Sequence, residues 1–174
     1  MLPAMASDSL YEPSDTDSIE ISLLTCTPGR QIWSEFGHTA IRLNIVNKGI
    51  DLSVNYGMFS SDTPHFIWKF IFGLTDYWVD IEGFQDFLYE YEYSGRGVIE
   101  QKLNITHADK LAIARAIYNN IRPENKVYRY NFFYDNCTTR ARDIIVDNLG
   151  SAVTYPPAQT DSCTYREMVH KWTR

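Results

Sequence analysis

Cys137 stands in the run Asp135-Asn136-Cys137-Thr138-Thr139-Arg140-Ala141-Arg142-Asp143. Asp135 or Asn136 is suited to cap a helix that continues through Leu149 and stops at Gly150. That cap sets Cys137 in the first helical turn, where unpaired backbone N–H groups and the positive end of the helix dipole favour a thiolate. Such a thiol can serve as a nucleophile, and an adjacent N–H can bind the oxyanion its attack creates. The position suits a small apolar residue at a helix start equally well. His38, after Phe36-Gly37 at the head of a predicted strand, supplies a matching base. A strand histidine alone is usually structural, but a base on a strand beside a thiol at a helix start is the arrangement of cysteine-nucleophile enzymes. The remaining histidines have plainer settings: His65 follows Pro64 at a helix start, His107 lies beside Thr106 and His170 falls in the last helix.

The strand that carries His38 points to a third residue. Gly37–Ile45 reads as a strand, Asn47-Lys48-Gly49 as a turn and Asp51–Tyr56 as the returning strand. Period two puts Ile41, Leu43 and Ile45 on one face with Leu52, Val54 and Tyr56. His38, Ala40 and Arg42 then share the other face with Asp51, Ser53 and Asn55. Asn55 is therefore the candidate to orient the imidazole, as an amide does in Cys-His-Asn enzymes. Tyr56 is the alternative, because the register rests on one inferred turn.

The rest of the chain alternates between strands and helices. Ile19, Ile21 and Leu23 alternate with polar residues as a half-buried strand does, ending at Thr27-Pro28-Gly29. A helical turn over Gln31–Phe36, strands at Tyr77–Ile81, Val98–Leu103 and Tyr128–Phe133, and helices at 64–72, Phe84–Tyr93 and near Tyr165–Trp172 complete the pattern. Thr106-His107-Ala108-Asp109 resembles a capping box and opens a helix with Leu111, Ala114, Ile117, Tyr118 and Ile121 on one face. Residues 7–17 are rich in Ser and Asp and read as a mobile leader. Leu2-Pro3-Ala4-Met5-Ala6 before Ser7 has the small-x-small pattern of a signal-peptidase site, so residues 1–6 read as a signal-peptide remnant of an exported protein. Residues 18–174 then form a single domain.

Composition narrows the function. The 174 residues carry 22 acidic and 16 basic side chains, a formal charge of −6, which argues against nucleic acid as a partner. The longest apolar stretch, Phe66 to Phe72, is far short of the ~20 residues a membrane-spanning helix needs. The three cysteines, Cys26, Cys137 and Cys163, leave at least one thiol unpaired, and no CxxC suggests zinc. Cys26 is expected to be a core thiol, with pairing to Cys163 the alternative.

Four segments together resemble one family: Leu23-Leu24-Thr25-Cys26-Thr27-Pro28-Gly29, Phe36-Gly37-His38-Thr39-Ala40-Ile41-Arg42, Asn55-Tyr56-Gly57-Met58-Phe59 and Asp135 to Asp143. The family is the Lnb N-terminal periplasmic domain family of Bacteroides-type bacteria, and the resemblance covers roughly residues 18–150. It implies an α+β, circularly permuted papain-like fold: a small antiparallel sheet with packed helices, akin to the lecithin:retinol acyltransferase branch, in which the His strand precedes the Cys helix. It implies a periplasmic location and lipoprotein N-acylation. Phospholipid would be the acyl donor, a lipoprotein N-terminus the acceptor, and Cys137 the site of a thioester. No metal or organic cofactor is implied. Longer members carry membrane helices after this domain, so the expectation here is an ectodomain portion or a soluble paralogue. The same residues would also serve a periplasmic cysteine peptidase or amidase, and a non-catalytic binding domain could keep the fold.

One further stretch invites a lipid reading. His65 to Leu74, continued by Tyr77 and Trp78, is apolar on nearly every side of any helix it forms. Helical spacing of Phe66, Phe70 and Gly73 suits core packing. Some of Ile67, Trp68, Ile71 or Leu74 are then expected to stay exposed, a surface suited to an acyl chain or membrane, with Lys69 reaching headgroups.

Overall fold

A computed structural model describes residues 11–31, 34–60, 68, 75–151, 153–157 and 163–172. Six strands form one antiparallel sheet: β1 (Ile19–Cys26), β2 (His38–Ile45), β3 (Ile50–Met58), β4 (Asp76–Gly83), β5 (Val98–Lys102) and β6 (Val127–Arg129), in the order β5-β1-β2-β3-β4-β6. The helices described over their full length are α1 (Phe84–Tyr93), α2 (His107–Asn120), α3 (Cys137–Val146) and α4 (Tyr165–Trp172). The chain is thus α+β, as expected.

The two faces of the sheet bury different helices, and the alternation of β2 and β3 dictates which. Ile41, Leu43, Ile45, Val54 and Tyr56 pack with Ile113, Ala114 and Ile117 of α2 and Ala141 and Ile144 of α3. On the opposite face, Leu24, Cys26 and Ala40 pack with Phe84, Phe87 and Tyr91 of α1. The β2–β3 register pairs Ala40 with Asn55 and Arg42 with Ser53, placing Asn55 on the predicted face. Arg42 pins that register. Its guanidinium donates to both carboxylate oxygens of Asp51 at 2.8 and 2.7 Å and to Glu100 at 3.0 Å, while stacking 3.8 Å from the Phe84 ring. A 3-10 turn at Val46–Lys48 and a left-handed Gly49 (φ 65°) make the predicted reversal.

Several expectations need correction. The β6 strand is short, because Asn131 instead bridges to Asp135 around a turn that leads into α3. The part of the expected leader that is described, residues 11–17, makes hydrogen bonds to the domain. Asp17 is buried and accepts from the Tyr11 hydroxyl at 2.9 Å and the Ser14 N–H at 2.8 Å. Asn47 Nδ2 donates to the Thr16 carbonyl at 3.2 Å, and Arg115 reaches Asp15 at 3.3 Å. Residues 1–6 and, apart from Trp68, the stretch from His65 to Leu74 lie outside the described residues. Trp68 is helical and 63% exposed. No described helix is long and apolar enough to cross a membrane.

Candidate active site

His38 opens β2 and Cys137 opens α3, so both residues stand at the same end of the sheet. The start of α3 is built tightly. Asn136 is the N-cap: its Oδ1 accepts from the N–H groups of Thr138 (2.9 Å) and Thr139 (3.0 Å), and its own N–H donates to Thr139 Oγ1 at 2.8 Å. Arg140 donates to both carboxylate oxygens of Asp135 at 2.6 and 2.8 Å and stacks 3.8 Å from the Tyr128 ring, bracing the same turn. The Thr39 and Thr138 hydroxyls meet at 2.9 Å, which clasps β2 to α3 one residue beyond His38 and Cys137.

Two glycines let the chain pass this point. Gly37 has φ 77°, and a Cβ on it would lie 2.5 Å from the Cys26 carbonyl oxygen. Gly57 has φ 94° at the β3 bulge, and a Cβ there would sit 3.5 Å from Cys137 Cβ.

The predicted residues come together. His38 Nε2 lies 3.1 Å from Asn55 Oδ1, and the imidazole is within hydrogen-bonding reach of the Cys137 thiol. Burial alone would raise the thiol pKa. Hydrogen bonding to His38, the imidazole charge, the Thr39 backbone N–H and the Thr138 hydroxyl outweigh it and hold Cys137 below the ordinary thiol value. Cys26 is the opposite case. It is buried beneath α1, and burial pushes its pKa up despite a hydrogen bond with Tyr91. All three cysteines are free, so Cys26 is the core thiol and no bridge joins it to Cys163.

Tyr56 is not an orienting residue. One position along β3, it faces the α2–α3 side, is 1% exposed and accepts from Asn120 Nδ2 at 3.2 Å; burial pushes its pKa up to about 12. The side chain the sequence reading missed is Glu82. It is paired with Ser53 across β3 and β4, and its Oε1 accepts from Asn55 Nδ2 at 2.8 Å. The predicted strand stopped at Ile81, one residue short. Carrying the β3–β4 alternation one step further would have set Glu82 beside Asn55.

Two clefts meet here. A cavity of about 530 Å³ holds Cys137 among Phe36, Phe59, Tyr77, Tyr130 and Phe132. Tyr77 and Tyr130 stack at 4.2 Å, and Phe36 meets Phe132 edge-on at 4.9 Å. Burial, with the nearby thiolate, raises the Tyr77 pKa to about 12 and that of Tyr130 further, so both stay neutral. A wider cleft of about 920 Å³, with Glu82, Glu90, Arg30 and Arg96 in its walls, lies on the other side. His38, Gly37, Gly57 and Phe59 line both. A cysteine held below the ordinary thiol pKa, a hydrogen-bonded imidazole and a largely aromatic wall on one side can together support nucleophilic attack on a carbonyl.

No curated protein and no solved structure matches the chain. The family model for the Lnb N-terminal periplasmic domain matches residues 6–170. That span exceeds the 18–150 on which the sequence motifs lie and takes in α4, whose Val169 lines the Cys137 cavity. The chain is a periplasmic domain, and it belongs to the Lnb N-terminal periplasmic domain family.

Proposed function

We propose that the domain is a cysteine-dependent acyltransferase that takes an acyl group from phospholipid and passes it to a lipoprotein N-terminal amine. The observation that carries this reading is the connected line from the Cys137 thiol through His38 to Asn55. His38 takes the thiol proton, and the thiolate attacks the ester carbonyl. The Cys137 backbone N–H supports the oxyanion, since the cap engages the N–H groups of Thr138 and Thr139 instead. The ester C–O bond breaks, His38 returns the proton to the departing lysophospholipid hydroxyl, and the acyl group remains as a thioester on Cys137. The acceptor amine then attacks the thioester, its proton passes to His38, and the thiolate leaves and is reprotonated. The fold is read as papain-like and circularly permuted. The His-bearing strand preceding the Cys-bearing helix supports that reading, and the aromatic cavity beside Cys137 supports an acyl substrate.

The test is mass spectrometry of the protein after incubation with phospholipid vesicles. An acyl adduct that maps to Cys137 and is absent from Cys137→Ala is the expected result. Cleavage of amide substrates with no lipid adduct would favour a peptidase or amidase. The exposed Trp68 extends the lipid reading to a surface contact. Replacing Trp68 and Ile71 by Ser is expected to weaken vesicle binding and leave alkylation of Cys137 unchanged; normal vesicle binding would remove that contact from the scheme.

A further inference from the structure

We infer that Glu82 is a positioning residue: its carboxylate fixes the orientation of the Asn55 amide and, through it, which nitrogen of His38 carries the proton. The inference rests on the reading of His38 as the base for Cys137.

An Asn amide has an oxygen that accepts and a nitrogen that donates, and the two ends are nearly the same shape. Left to itself, Asn55 could present either end to His38. Ser53 cannot decide the matter. Its hydroxyl, 3.0 Å from Asn55 Nδ2, can donate as readily as accept. The ionised carboxylate of Glu82 can only accept, and it lies 2.8 Å from the same nitrogen. The nitrogen is therefore held toward Glu82, and Oδ1 is left facing His38 Nε2 at 3.1 Å.

An acceptor at that place demands a proton on Nε2. The neutral ring then carries its lone pair on Nδ1, the nitrogen left for the Cys137 thiol, and can accept the thiol proton there. With the amide reversed, Nδ2 would need the lone pair on Nε2, and Nδ1–H would face the sulfur. That tautomer cannot act as the base. Asn55 is 4% exposed and Ser53 fully buried, so the packed site itself must set the orientation. Burial, with Glu90, Asp86 and Asp80 nearby, pushes the Glu82 pKa up to about 7 despite the Asn55 hydrogen bond. The constraint is complete in the ionised form, and the measurement belongs at pH 8.5.

The experiment has two readouts. Nitrogen-15 NMR of histidine-labelled protein in a Cys137→Ser background, where no thiolate holds a second proton on the ring, reads the His38 tautomer directly. The expected spectrum shows Nε2–H alone. Adding Glu82→Gln supplies a group that can either donate or accept, and both tautomers should appear. Adding Ser53→Ala instead removes a hydrogen bond but leaves the carboxylate, and Nε2–H should persist. In the protein that retains Cys137, Glu82→Gln should slow iodoacetamide alkylation in proportion to the share of His38 lost from the Nε2–H form, about twofold where the two tautomers are equally populated. Nδ1–H without the Glu82 change, or a single Nε2–H tautomer with Glu82→Gln, overturns the inference. If Cys137 in the otherwise unaltered protein reacts no faster than an ordinary exposed thiol, the base assignment fails instead, and the tautomer spectra still judge the role of Glu82.

Discussion

Replacing Glu82 by Gln removes a carboxyl that is costly to ionise where it sits, so the variant should gain stability relative to the parent as pH rises. Burial and the nearby carboxylates raise the Glu82 pKa from 4.5 to about 7. A group whose pKa is raised on folding contributes its full stability below the unfolded value, and that contribution is lost as pH climbs through the folded value. The window is therefore about pH 4.5 to 7, with the loss complete above it. Each pKa step is worth about 1.4 kcal/mol, so the difference between 4.5 and 7 amounts to about 3 kcal/mol at full value. Glu82 is part-exposed, and solvent screening brings the expectation to about 1–2 kcal/mol. Urea unfolding of both proteins at pH 5 and pH 8.5 gives the comparison, because other titrating groups cancel between parent and variant. The stability of Glu82→Gln relative to the parent should rise by about 1–2 kcal/mol from the acid to the alkaline measurement. A change below about 0.5 kcal/mol, or one of opposite sign, would refute the burial argument.

Iodoacetamide at neutral pH should label Cys137 before Cys26 and Cys163, as read by peptide mapping; early labelling of Cys26 would place the reactive thiol on β1 instead. Gly37→Ala should cost about 2 kcal/mol or more in thermal or urea unfolding, because its Cβ would lie 2.5 Å from the Cys26 carbonyl oxygen at φ 77°. Tyr56→Phe should cost about 1 kcal/mol through the lost Asn120 hydrogen bond and leave Cys137 alkylation unchanged. Asn55→Ala, by contrast, should slow alkylation about tenfold or more. Equal effects of these two substitutions on the thiol would undo the assignment of Asn55 over Tyr56.

Local chemistry made much of the site legible. The cap at Asn136, the turn at Gly49 and the period-two alternation of β2 and β3 each act within a few residues, and together they put Cys137, His38 and Asn55 in place. The choice between Asn55 and Tyr56 depended only on register, and register follows from which face is apolar. Glu82 was missed because it depends on a third strand. The β3–β4 pairing spans a connection of more than fifteen residues, and nothing near Glu82 announces its partner. The tethering of residues 11–17 was missed for a similar reason. A polar segment looks unstructured by composition, yet Asp17 finds its donors in Tyr11 and Ser14, and Asn47 and Arg115 add distant contacts.

The two clefts give the acyl-transfer reading a spatial logic. A thioester on Cys137 must leave its chain somewhere dry, and the cavity that contains the sulfur is walled by Phe36, Phe59, Tyr77, Tyr130 and Phe132. An incoming amine must surrender a proton to His38, and the second cleft reaches His38 past Glu82 and Glu90. On the acyl-transfer reading a hydrocarbon chain would lie in the first, while the second, with Glu82 and Glu90 as well as Arg30 and Arg96 in its walls, would admit a polar acceptor, so donor and acceptor need not compete for one surface. Gly57 lies in the wall that both clefts share, where its φ of 94° favours glycine. On this reading the raised pKa of Glu82 is a cost in stability that the domain carries for function. The carboxylate that is poorly solvated on the acceptor side is the one that holds Asn55 to His38.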